Sequence, residues 1–230
     1  MKYVATTVFA LLCVLTSTRI FSEQSCPESI QNARQCAEYL EEKLTKKFPD
    51  LFLREGGRLV ITLNNGKKKT FIDIPDEERD GEQGMWFNIV DYYPDIHYAL
   101  VAVHFFEGQT HYLVNRGSGS ETEIISSPVV SPDKKRIAVA NEDLHAEYTP
   151  NYLAVFRIHS DKLKKEFEVK PEDWGARDLR WVNNQELSYT EYRLISNLEK
   201  DGESDSLVGR PRKLKLWIDE KTKGQKWLIE

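Results

Sequence analysis

At 230 residues, with 40% hydrophobic and 30% charged residues, the chain is long enough for one substantial core or two small ones and is not a disordered polymer. Its formal net charge of −5 argues against nucleic acid, which is held by phosphate contacts from a basic face. An aromatic share of 11% favours strands over helices.

Residues 1–22 read as a secretory signal peptide: Lys2 supplies the positive start, Val4 to Leu15 the apolar run, and Thr16 to Ser22 a more polar stretch. Cleavage after Ser22 removes Lys2 and Arg19 and no acidic group, so the formal charge moves from −5 to −7. Nothing downstream approaches the roughly 20 apolar residues that a bilayer span needs, so no integral membrane segment is expected after cleavage. Only Cys26 and Cys36 then remain, and in an exported chain a lone pair reads as a disulfide. Ten residues of continuous helix separate two Cα atoms by about 15 Å, so a bridge requires that Pro27 to Asn32 not be wholly helical. A metal would need more ligands of this kind than the chain owns, and no metal or other cofactor is expected.

Residues 23–50 form a helical segment. Ile30, Ala33, Cys36, Leu40, Leu44 and Phe48 recur at spacings of three and four, which predicts an amphipathic helix over 29–48 ended by Pro49. From Gly56 to the C-terminus, residues 56–230, the pattern changes to period two. Leu59–Leu63 and Thr70–Ile74 flank Asn64-Asn65-Gly66, a strong hairpin signal because Asn-Gly supplies positive φ angles. Three further hairpins follow: His111–Asn115 with Glu121–Ile125, Leu153–Ile158 with Glu166–Val169, and Lys213–Ile218 with Lys226–Ile229. Before each of these three stands a turn feeding a strand: Tyr93-Pro94-Asp95 into Tyr98–Val101, Ser131-Pro132-Asp133 into Arg136–Val139, and Asn183-Asn184 into Glu186–Tyr189. Trp174 to Trp181 reads as a connection between units, and the acidic inserts at Asp76–Gly84 and Glu199–Ser206 as exposed loops.

In Val129 to Val169, where Ser131-Pro132-Asp133-Lys134-Lys135 leads into Arg136–Val139, the chain resembles blades of β-propellers of the WD40-like and TolB type. The resemblance implies a small or incomplete propeller-like array of antiparallel blades behind an N-terminal helix, with a twisted β-sandwich as the alternative. It also implies that links at equivalent places line one rim, so that His104, Glu107, Glu142, Asp143, His145, Glu147 and Tyr148 form a candidate binding set. Two histidines among carboxylates would also suit general acid–base work, which makes a hydrolase the alternative activity.

Other motifs carry less. Asp76-Glu77-Glu78-Arg79-Asp80-Gly81 resembles half a calcium loop, but Phe87 stands where the closing acid belongs. Gly117-Ser118-Gly119-Ser120 lacks the spacing of a nucleophile elbow. Basic residues Arg210, Arg212, Lys213, Lys215, Lys221, Lys223 and Lys226 crowd the C-terminus, as solvated hairpin faces or as a contact for an anionic partner. The reading is of a periplasmic or secreted, non-catalytic protein that binds a protein or cell-wall partner, of inhibitor or immunity type; a structural envelope component is a further alternative.

Overall fold

The computed structural model of the chain describes residues 26–75, 84–105, 108–160, 162–199, 202–218 and 224–230, with the backbone only for 196–199 and 202–205. The segment read as a signal peptide, Glu107 and the calcium-loop resemblance at 76–81 lie outside the described residues.

Cys26 and Cys36 are bridged, with Cα atoms 5.7 Å apart, and residues 27–32 are non-helical as that closure demands. The helix α1 therefore spans Ala33–Lys47 rather than beginning at 29. Asn32 caps it, its Oδ1 accepting from the backbone of Arg34 and Gln35 at 2.9 and 3.2 Å. The buried face also differs from the expected stripe, because Ala33 is exposed and Glu41 is buried beside Leu44. Replacing both cysteines by serine opens an eleven-residue loop and is expected to lower the unfolding free energy by about 2.5 kcal/mol, read by urea denaturation. A variant as stable as the parent would mean that the bridge does not constrain the chain.

The rest is mainly β, in four antiparallel sheets. The first joins β1 (Phe52–Glu55), β2 (Arg58–Thr62) and β3 (Lys68–Ile72). The second joins β4 (Trp86–Tyr93), β5 (Tyr98–Phe105), β6 (Gly108–Asn115) and β7 (Glu121–Ile124). The third joins β8 (Val129–Val130), β9 (Arg136–Asn141), β10 (Tyr152–Ile158) and β11 (Leu163–Val169). The fourth joins β12 (Gly175–Asn183), β13 (Glu186–Glu199), β14 (Gly202–Ile218) and β15 (Gln225–Ile229). Within each sheet every strand pairs with its neighbour in sequence, so each sheet is an antiparallel meander. All four hairpins fall where the turn residues place them, and Gly66 takes φ +79° in the first.

Three cores hold the sheets in series. Phe52, Leu59, Ile61 and Phe71 of the first sheet, with Leu44 of α1, pack on Phe87, Ile89, Val101 and Val103 of the second. Tyr98, Leu100 and Leu113 on the other side of the second sheet meet Ile137, Val139 and Phe156 of the third. Leu153 and Val155 then meet Leu187, Tyr189, Leu214 and Trp227 of the fourth. The near-continuous apolar runs of β5 and β10 follow from this, because successive side chains feed different cores. Among the described residues no core joins the fourth sheet to the first, so the sheets form no closed barrel. There are four layers, not the two of a sandwich.

Three expectations are corrected. Trp174–Trp181 is not a connection: Gly175–Asn183 is the first strand of the fourth sheet, with Trp181 Nε1 donating to Val129 O at 3.0 Å. The first hairpin is not alone, since β1 pairs with β2 across the Gly56-Gly57 turn. The segment around 199–206 is not a loop but the far end of a hairpin paired without a shift from Glu186↔Lys215 to Glu199↔Gly202. Beyond Tyr192 and Gly209 that hairpin has no third strand among the described residues, so it leaves its sheet as a two-stranded ribbon.

Candidate functional site

The sheets share two edges. At one, the turns touch: Lys134 Nζ lies 3.0 Å from Asp95 Oδ2, the Asp133 amide donates to Asn184 Oδ1 at 3.0 Å, and the Asn64 amide to Arg116 O at 2.8 Å. These contacts tie together turns of all four sheets, and β5, β9 and β13 all run away from that edge. The far ends of β5 and β9, at His104–Phe105 and Asn141, and Tyr192 of β13 therefore lie along the opposite edge with the 142–151 loop, and the β13–β14 ribbon runs on beyond it.

His104 sits at the end of β5. Its ring stacks on Trp86 with centroids 3.6 Å apart and planes 6° off parallel, and the Arg34 guanidinium covers Trp86 at 5.2 Å. His104 Nε2 donates to Asn88 Oδ1 at 2.6 Å, which fixes the ring. Burial, with the nearby His111 and Arg34, pushes its pKa down to about 4. The ring is thus neutral at physiological pH and already engaged. The unfolded chain takes up a proton near 6.5, so between that value and about 4 it binds more protons than the fold, and stability falls as pH is lowered through the window. His111, also shifted down by burial, acts in the same direction. A histidine ring titration by NMR is expected to give His104 a midpoint near 4, and His104→Gln to lose less melting temperature across the window than the parent. A midpoint above 6 would contradict the placement.

Beside Trp86 lies a cleft of about 370 Å³ between α1, the β1–β2 turn and β4. Its floor is a partly buried ion cluster around the buried Glu41. Glu41 of α1 binds the Arg54 guanidinium through both oxygens at 2.7 and 2.9 Å, and its Oε2 also accepts from the Ile89 amide at 2.9 Å. Asp73 accepts from the Phe87 amide at 2.9 Å, and Arg54 donates to Phe87 O. Phe87 and Ile89 are on the unpaired side of β4, so three side chains satisfy an edge that would otherwise need another strand. The carboxylates here hold the fold.

The 142–151 loop is built from its own polar groups. Asp143 Oδ2 accepts from the Thr149 amide and hydroxyl at 2.8 and 2.9 Å, and Asn151 Oδ1 accepts from the Asp143 amide at 2.8 Å. Asn141 Nδ2 donates to Thr149 Oγ1 at 2.9 Å and to Pro150 O at 3.0 Å. Burial works against the Asp143 carboxylate, but the Thr149 bonds outweigh it and hold its pKa below the usual range. Glu142, with its side chain 1% exposed, is ion-paired by Arg177 and accepts from the Leu144 amide at 2.8 Å. Leu144 is buried under the loop, while His145, Glu147 and Tyr148 face solvent, Glu147 at φ 56° and Tyr148 73% exposed.

The sequence-derived set is thus divided. Glu142, Asp143, His145, Glu147 and Tyr148 share one loop, and His104 stands apart from it at the end of β5, against Trp86 and Asn88. Among the described residues no three metal-ligating side chains gather. Glu41, Arg54 and Asp73 were not singled out by sequence; the signal was Glu41 lying three residues before Leu44, on its face of α1. The chain matches no protein-family model, and no curated protein matches it.

Proposed function

We propose that the chain is an exported binding protein, its sheets an incomplete propeller, that recognises a macromolecular partner in the periplasm or outside the cell through the 142–151 loop. The observation that carries this reading is Tyr148, a large aromatic left 73% exposed at the tip of a loop whose frame is fixed by bonds among Asn141, Asp143, Thr149 and Asn151. A rigid loop loses little conformational freedom on binding, and an exposed tyrosine on such a frame is the usual anchor of a protein contact. The Cys26–Cys36 bridge, which needs an oxidising compartment, and a signal-like N-terminus support export. Among the described residues no helix is long and apolar enough to cross a membrane.

The hydrolase reading draws less support. His104 is neutral and committed to Asn88, Glu142 is committed to Arg177, and Asp143 to its own loop. An inhibitor or immunity-type role fits a chain whose polar side chains at this edge mostly stabilise its own loops. Affinity capture by the mature chain from an extract of its own envelope, followed by mass spectrometry, tests the reading. A stoichiometric protein partner is expected; turnover in a hydrolase panel without any partner would overturn it.

A further inference from the structure

The series of sheets ends on a face that nothing covers among the described residues. On β12–β15, Leu187, Tyr189, Leu214 and Leu216 point into the third core, so by alternation Arg180, Lys213, Lys215, Trp217 and Lys226 point away from it. Arg180 pairs across the sheet with Ser188 and Ser188 with Lys213, giving a cross-strand row, and Arg180 Nε donates to Ser188 Oγ at 2.9 Å. Lys215 follows Lys213 on β14 at about 7 Å. Trp217, 48% exposed, stands opposite Lys226, whose ammonium lies 5.5 Å from its ring. Val182 adds a second apolar side chain at 53% exposure.

This face carries cations on a chain whose net charge is −5. It answers the question left by the basic C-terminal stretch: Lys213, Lys215 and Lys226 lie on one side of one sheet, Lys213 and Lys215 each beside one carboxylate, whereas Arg212 is on the other side, paired with Glu191 at 3.0 Å. A second copy stacked end to end is a poor match, since the opposite terminal face, on β1–β3, carries Arg58 and Lys68 and only Glu55, opposite Arg58, as a carboxylate. Nor does the face suit a uniform polyanion. Glu186 and Glu230 stand within it, each 2.6 Å from a lysine ammonium that it positions.

We propose that the outward face of β12–β15 docks a protein partner that presents carboxylates around an apolar site for Trp217. This surface differs from the 142–151 loop and does not depend on that reading. The probes are a random copolymer of glutamate and tyrosine, polyglutamate, polyphosphate and anionic phospholipid vesicles, with binding to the full mature chain measured by biolayer interferometry. The copolymer is expected to bind best and to weaken with rising salt. Lys213→Glu with Lys226→Glu should reduce its affinity about tenfold and Trp217→Ala about fivefold, while Lys164→Glu on β11 leaves it within about twofold. Circular dichroism confirms folding of each variant. Equal affinity in the face variants, no copolymer binding, or polyphosphate or vesicles binding as well as the copolymer overturns the proposal.

Discussion

Glu41→Gln is expected to lower the unfolding free energy by about 3 kcal/mol, because it removes the charge that balances a guanidinium held between a helix and two sheets. Arg54 is only 25% exposed, and its other partners are Asp73 Oδ2 at 3.4 Å and the Phe87 carbonyl. The glutamine amide would also turn a donor toward either Arg54 or the Ile89 amide, leaving one donor facing another. The loss falls on the docking of α1 against β4, so near-ultraviolet dichroism and urea unfolding should both report it. Arg54→Met in the same chain removes the uncompensated cation and is expected to recover at least about 1 kcal/mol, the coupling a double-mutant cycle measures. A single variant within about 0.5 kcal/mol of the parent would show that the cluster does not bear on stability.

Gly175→Ala is expected to cost about 2 to 3 kcal/mol, through a different cause. A Cβ there would stand 2.6 Å from the Cα of Glu142, which is backbone and has no rotamer to yield. β12 therefore lies against the end of β9 only because residue 175 has no side chain, and the Arg177–Glu142 ion pair locks the same contact two residues on. The strain is relieved only by moving the fourth sheet off the third. Both the melting temperature and the fluorescence of Trp181, which packs on Trp227 at 6.0 Å, should change. An unchanged melting temperature would contradict the close approach.

The hairpins were legible in the sequence because their signals are local. Asn64-Asn65-Gly66 or Gly117-Ser118-Gly119 specifies a turn whatever it later packs against. The first strands of the sheets were harder to read. β12 looked like a linker because Arg177, Asp178 and Arg180 break its alternation, and the pairing does shift there, with Asp178 at φ 55°. The helix start was hidden by apolar Ile30, which continues the period but lies where the disulfide forbids helix. At the candidate site, repeat alignment pointed to the 142–151 loop and to the end of β5. That Glu142 would be buried under Arg177, and His104 sealed against Trp86, did not follow from it. The Glu142–Arg177 pair joins two sheets across a long sequence separation, and the Trp86–His104 stack depends on a hairpin register that shifts between Ile89 and Asp91; no local pattern records either.

The most direct test of partner recognition is amide hydrogen exchange of the 144–149 segment with and without the protein recovered by envelope capture. The account predicts slowed exchange there and its abolition by Tyr148→Ala. Exchange unchanged by a bound partner, with protection appearing elsewhere, would contradict it.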